Sequence, residues 1–450
     1  MTVICWFRRV LRLDDHPALI AAAQSGAVIP VVILSGPEAT ATPASAQRQA
    51  MALPALDAAL RRQGSRLIVR RGDPATVLAD LMRDSGADHI HTTTGFPFAA
   101  DDLDLPVSYH PLGDLVSRGT VLTKTGGIFR VFSPFWKALR QHDIAPPLPA
   151  PRLTAPDQWP DSDAPDWPEA RSAMRRGWDV VAEHITAGED AALSRLDTFL
   201  DDAVTAYKDN RNDPWRDGAT SNLSDSLAVG EISARRIWHR CQPLMQDGVP
   251  GVDHFLSELA WREFARELFH DMPAMDRQNW RPEWNDFPWR SDNDDACAWR
   301  RGQTGVDMVD AGMRELFATG RMHNRVRMIA ASYLTKHLLT DWRVGLDWFA
   351  QTLTDWDPAS NAMNWQWVAG CGPDAAPYFR IFNPDTQGDK FDPKSAYRNH
   401  WLRPMAAGAL QFEQAAPLSW RINLAHRPKP SLTLADGRER ALAAYARLKD

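Results

Sequence analysis

Cysteine is scarce. Four residues, Cys5, Cys241, Cys297 and Cys371, are scattered through 450, and no two form a C-x-x-C pair. Zinc ribbons, iron–sulfur clusters and a disulfide scaffold find no support, so a reducing cytoplasm is the expected compartment. Long apolar runs are missing as well, both behind the N-terminus and elsewhere, and neither a secretory signal nor a membrane span is expected. There is no excess of positive charge: 51 Lys and Arg against 57 Asp and Glu leave −6. That balance excludes a generally basic nucleic-acid coat but is silent about a local basic groove. No G-x-G-x-x-G follows the first predicted strand, so a Rossmann-type phosphate cradle is not expected there. What is present is an ordinary globular composition, 44% apolar and 24% charged, in a chain long enough for roughly two to three domains. Tryptophan alone is in excess: 19 residues, eleven of them between Trp261 and Trp401, a concentration that core filling does not explain.

The first 130 residues alternate β-branched runs with helical patterns, which predicts an α/β, doubly wound parallel-sheet domain. The strand candidates are Val3–Phe7, Val28–Leu34, Arg66–Arg70 and Asp88–Thr92, with helices predicted over Asp14–Gln24, Ser45–Gln63 and Pro74–Ser85. Residues 131–190 read as a linker, since Pro146 to Pro168 alone carry eight prolines, which sustain neither helix nor central strand. Residues 191–430 read as a larger all-α domain, with the clearest helical periodicity at Glu231–Cys241, Val252–His270, Gly305–Ala318, Met322–Leu339 and Leu346–Leu353. A closing helix is predicted within 431–450.

Four stretches carry candidate chemistry. In Ser257–Phe264, Glu258, Trp261 and Arg262 share a helical face and offer an acid, a flat aromatic and a guanidinium, although Glu258 and Arg262 equally describe a surface ion pair. In Gly320–Met328, Asn324, Arg327 and Met328 fall on one face and Arg321 and Arg325 on another. The only acid between Gly320 and Gly345 is Asp341, so the outward arginines suit phosphates or simply a solvated basic face. In Leu353–Trp367, Asp355 and Asp357 lie beside a helix-interrupting proline, no further carboxylate or His completes a metal shell, and Trp365 and Trp367 bracket Gln366. Finally, Tyr207 and the hydroxyls of Thr220–Ser224 precede a helix, a pattern that fits phosphate binding or a plain helix cap.

In order and spacing, these runs resemble the photolyase/cryptochrome flavoproteins. They include Glu-x-x-Trp-Arg-Glu-Phe, His-Asn-Arg-x-Arg-Met, Asp-x-Asp-x-x-x-Asn, Trp-Gln-Trp, Ala375–Pro384 and Gln387–Phe391. The likeness runs from Trp6-Phe-Arg-Arg9 to about Trp401, nearest to the bacterial cyclobutane pyrimidine dimer enzymes. It implies FAD in a folded form within the helical domain. Tyr207, Thr220, Ser221, Leu223 and Ser224 would surround its phosphates and sugar, with Arg262 nearby. Arg327 would pair with Asp355 beside the ring, Asp357 would meet the ribityl or ring edge, and Asn361 would face N5, where a carboxylate would repel the anionic reduced flavin. The implied substrate is damaged DNA with its lesion flipped out. Glu258, Trp261, Asn324, Met328 and Trp367 would form the lesion pocket, and Arg321, Arg325 and Arg380 the DNA-contacting cations. Trp365, Trp342 and Trp289 match an electron relay to the flavin, with Trp299 a spare for the outermost place. A monomer is expected.

Some positions depart from the family pattern. Arg321 stands where an aromatic usually follows the glycine, Trp356 replaces a small residue between the two aspartates, and Ala265 replaces a frequent Tyr. Phe98-Ala-Ala-Asp101 lacks the Asn-Glu pair that anchors a folate antenna, which leaves a deazaflavin, another flavin or no second chromophore. Asn324 beside His323, in place of a second histidine, argues against a (6–4) enzyme. A cryptochrome photoreceptor and a light-independent flavin redox protein remain as rivals to repair.

Overall fold

The structure, a computed structural model, describes residues 1–34, 43–94, 103–165, 176–375 and 379–449. Five parallel strands, β1 (Thr2–Phe7), β2 (Ala27–Leu34), β3 (Ile68–Arg71), β4 (His89–Thr93) and β5 (Val107–His110), form one sheet in the order β3-β2-β1-β4-β5. The near-continuous apolar runs of β1 and β2 follow from burial on both faces. Val3, Cys5 and Phe7 pack against the helices Pro17–Ser25 and Pro43–Arg62, while Ile4 and Trp6 pack against Leu78 and Leu81 of Pro74–Ser85. That last helix starts with Asp73 accepting from the Thr76 N–H at 3.0 Å ahead of Pro74, and stops at the left-handed Gly86. β5 was not foreseen: Val-Ser-Tyr-His is short, half-buried and only partly apolar.

The described part of the proline-rich stretch, 146–165, holds no helix, but it is not a free tether. It runs back over the sheet, with Thr154 paired to Ala27, Asp163 N–H donating to the Val69 carbonyl at 2.9 Å, and Trp159 packed beneath the Arg66 guanidinium. Beyond it, one large core joins the helices Ala234–Gln246, Val252–Asp271, Asp307–Thr319, Trp342–Thr352 and Pro358–Ala369. The helix predicted over Met322–Leu339 is shorter and interrupted. It begins at Asn324, capped by His323, whose Nδ1 accepts from Arg325 N–H at 3.2 Å, and becomes a π-turn over Tyr333–His337. Burial, helped by Arg327, pushes the His323 imidazole down to about 4, so the ring stays a neutral acceptor at pH 7.

The segment after β1 docks the sheet domain onto the helices. Arg12 donates to the Gly230 carbonyl at 3.0 Å, Asp14 and Asp15 receive Arg236 and Arg235, and a Cβ on Gly230 (φ +79°) would stand 2.3 Å from the Arg9 carbonyl. Behind this seam, wholly buried Arg48 bonds Glu231 and Asp225, the latter on the helix Ser224–Val229. No helix among the described residues is long and apolar enough to cross a membrane.

Candidate active site

The helices enclose a cavity of about 940 Å³, near the top of the roughly 300–1,000 Å³ usual for small-molecule sites. Its walls include Tyr207, Ser221, Leu223 and Ser224 from one side, Arg262 from the Val252–Asp271 helix, and Arg327, Asp355, Asp357, Asn361 and Trp365 from the other. Glu258, Trp261, Asn324, Met328 and Trp367 line the same cavity, together with Arg325 and Arg380. Sequence positions as far apart as 207 and 380 thus meet in one space.

Local geometry fixes most of these groups. Arg327 donates from Nε to the Met322 carbonyl at 2.7 Å and from Nη2 to Asp355 at 2.8 Å. The Asn361 amide nitrogen donates to the Leu346 carbonyl at 3.1 Å, which leaves its oxygen as the acceptor for the cavity. Asp357 caps the Pro358–Ala369 helix by accepting from Ser360 N–H at 2.9 Å and pairs with Arg266 at 3.2 Å. Burial works to raise the Asp357 carboxyl, yet Arg266 and Arg262 outweigh it and hold it below the usual carboxylate range. Arg262 itself is committed to Glu263 at 2.9 Å and to Asp114 at 3.5 Å, so it serves the wall through an ionic cluster rather than as a free cation. Burial pushes Tyr207 up to about 12, which keeps its hydroxyl neutral.

At the other end, Trp261 stacks on Phe132 with ring centres 3.7 Å apart, and the Trp367 indole donates to the Asp374 carbonyl at 3.0 Å with Arg380 over its ring. Glu258 is ion-paired to Arg211, which also lies 2.9 Å from His254. Sequence reasoning missed Arg211, Asn212 and His254 because nothing local in Tyr-Lys-Asp-Asn-Arg marks it as facing a helix 47 residues away. Arg211 sits four residues after Tyr207, and that spacing is the one signal that could have found it.

Trp299 corrects one expectation, and Arg321 and Thr220 are held by partners away from the cavity wall. Arg321 is not in the cavity wall: it donates to Asp225 at 2.9 Å, adding a second cation to a carboxylate that is 1% exposed and already bonded to Arg48, while its own side chain stays 30% exposed. Thr220 lies off the wall, its hydroxyl donating to Asn222 at 3.2 Å. Trp299 is not an outer spare. It is fully buried with its ring centre 6.1 Å from Trp365, its indole N–H held by the Ala330 carbonyl. The unusual Trp356 lines the cavity but turns toward the sheet domain, where Arg9 crosses its ring and bonds its carbonyl, and Ala265 is buried in the core. The stretch Phe98–Asp101 lies outside the described residues.

Trp342 and Trp289 stand behind the cavity rather than on it. The Arg290–Thr340 bridge clamps the residue after Trp289 to a residue two before Trp342, and Asn279 holds the Trp342 indole N–H at 2.9 Å. One helical turn past Trp342, Gly345 lies flat on Trp365: a Cβ there would come within 2.0 Å of the indole. Gly345→Ala is therefore expected to overpack this contact and destabilise the protein by about 1–3 kcal/mol, read as a lowered thermal midpoint.

A bound cofactor fits the unmet polarity. The Trp365 Nε1 and the Asp355 Oδ1, both buried and both in residues of the cavity wall, have no hydrogen-bond partner in the protein. The comparisons agree with the geometry. A family model described as DNA photolyase matches residues 3–152, and one described as the FAD binding domain of DNA photolyase matches residues 255–447. Deoxyribodipyrimidine photo-lyases of Agrobacterium fabrum and Escherichia coli are 40% and 34% identical, each over 99% of this chain and 98% of the relative. Among solved structures, a class III photolyase from Agrobacterium tumefaciens superposes with a TM-score of 0.87 at 39% identity, covering 100% of this chain and 98% of its own. A Synechocystis cryptochrome superposes at 0.83 and 28%, covering 98% and 99%. On this evidence the chain belongs to the photolyase/cryptochrome family as an enzyme of the photo-lyase type, with the family's FAD-binding domain in its helical half.

Proposed function

We propose that the protein is a light-driven repair enzyme that splits cyclobutane pyrimidine dimers in DNA after flipping the lesion out of the stack. The observation that carries this is one cavity whose wall bears both the buried, unpartnered Trp365 Nε1 and Asp355 Oδ1 and the set Glu258, Trp261, Asn324, Met328 and Trp367 with Arg325 and Arg380. When bound, FAD supplies the photoexcited electron donor. In this proposal Ser221, Ser224 and Tyr207 hold its phosphates and sugar, the Arg327–Asp355 pair and Asp357 orient its ring, and the Asn361 oxygen meets N5.

The chain's own work lies in placing the lesion. Trp261, braced by Phe132, and Trp367, braced by Asp374 and Arg380, offer flat apolar walls to the two pyrimidines, while Met328, its sulfur 4.0 Å from the Asn324 amide nitrogen, adds a soft apolar contact. Glu258 hydrogen-bonds the pyrimidine edge. To do so it exchanges part of its ion pair with Arg211, and Arg211, along with Arg325, is then positioned for flanking phosphates. Water is displaced from the walls as the lesion enters, which strengthens each polar contact inside.

The test is an oligonucleotide bearing one thymine dimer, incubated with reduced protein and illuminated with blue light. Restored thymines are the expected result, and Glu258→Gln, which keeps shape but loses charge, should lower the yield per bound lesion by about tenfold, the effect of roughly 1.4 kcal/mol at the reacting state. Repair of neither this lesion nor a (6–4) lesion would sink the proposal and favour the photoreceptor reading, for which the likeness to the Synechocystis cryptochrome is the supporting observation.

A further inference from the structure

Trp215 is the one exposed tryptophan among the described residues, with 48% of its surface in water. It stands in the turn 213–218, where the Asp213 carboxylate accepts from its backbone N–H at 3.0 Å and its ring rests on His400, centres 4.9 Å apart. The imidazole backs one side of the indole and leaves the rest to solvent. This turn adjoins the cavity wall. Arg211 and Asn212, just before it, line the cavity, and the Asn212 side-chain oxygen accepts from Arg325 at 3.1 and 2.8 Å. The Arg325 guanidinium lies over Phe391, and Lys390 approaches the same ring. Arg325 thus ties the segment leading into the turn to Phe391 and Lys390, and exposed Arg216 directly follows Trp215, with Asp213 engaged by the turn's own backbone and Asp217 exposed beside it.

An exposed indole beside cations is the combination that binds nucleic acid whose bases are unstacked: the aromatic takes a base face and the cations take phosphates. Extruding a lesion leaves flanking bases without a neighbour. We infer that Trp215 is a stacking platform for a base next to the extruded lesion, a DNA contact outside the lesion pocket. This rests on the repair reading above.

The full-length protein with FAD is tested in the dark against a long duplex carrying one thymine dimer and against the isolated thymine-dimer dinucleotide, which has no flanking base. Trp215→Ala is expected to weaken duplex binding at least about fivefold, the low end of a base–aromatic stack, and Trp215→Phe to recover most of it. All three proteins should bind the dinucleotide equally. A 2-aminopurine placed beside the dimer should be quenched by the wild type and not by Trp215→Ala. Equal duplex affinity for wild type and Trp215→Ala overturns the inference, as does an equal loss toward the dinucleotide. Trp215-dependent duplex binding by a wild type that repairs no lesion would uphold the platform and sink the repair reading. Absence of DNA binding by the wild type would sink both.

Discussion

Trp365→Phe is expected to keep the fold and the flavin but slow blue-light photoreduction of the bound cofactor by well over tenfold, a step that 1.4 kcal/mol of barrier already produces. Trp365 lines the cavity, is 2% exposed, and is fixed between Phe349, Trp299 and the bare backbone of Gly345. Phenylalanine fills most of that slot, so stability changes little, but a benzene ring does not give up an electron as indole does. Because the indole nitrogen makes no hydrogen bond within the protein, the substitution strips no protein group of its bond. Stopped illumination with absorbance of the flavin reads the rate, and an unchanged rate would remove Trp365 from the relay. The proximity of Trp299 makes Trp299→Phe the natural companion measurement.

Arg48→Ala should give the largest loss of stability. Arg48 is fully buried, bonds Asp225 at 3.1 Å and grips Glu231 through two nitrogens at 3.0 and 2.5 Å, and those carboxylates are themselves 1% and 0% exposed. Removing one member of such a network strands buried charge, at about 3–5 kcal/mol. The loss should appear as a lower urea midpoint and, since the Ser224–Val229 helix that carries Asp225 also presents Ser224 to the cavity, as weaker flavin retention. The pH dependence has a definite sign. Burial acts to raise the Asp225 carboxyl, but Arg321, Arg48 and Arg195 outweigh it and hold it below the usual range. A carboxyl depressed on folding stabilises fully above its unfolded pKa of about 3.9 and ceases to do so as pH falls through the folded value. The gap between wild type and Arg48→Ala should therefore be widest near neutrality and narrow below about pH 4.

Much of the architecture was legible from short-range pattern. β1, β2 and the helix at Pro74–Ser85 were readable because burial on both faces writes a continuous apolar run, and because Asp73, Pro74 and Gly86 mark a start and a stop with local hydrogen-bond chemistry. The residues of the cavity wall were legible through their spacing along single helices, as with Glu258 and Trp261, and through the order of motifs along the chain. β5 was not readable, since its pairing with β4 supplies what its own four residues lack.

What the sequence by itself determined about this protein is the parallel-sheet and helical halves, and the set of acids, amides and aromatics that line the cavity. Only the tertiary structure decided which partner each charge takes. Arg321, drawn as a DNA contact, joins Arg48 on the buried Asp225 carboxylate, whereas Arg211, overlooked, reaches Glu258 across 47 residues. It also decided that Trp299 lies beside Trp365 rather than at the surface. The physical reason is range: helix caps and apolar periodicity act over a few residues, while the desolvation of a charge or the seating of a ring is settled by whichever distant segment happens to pack against it.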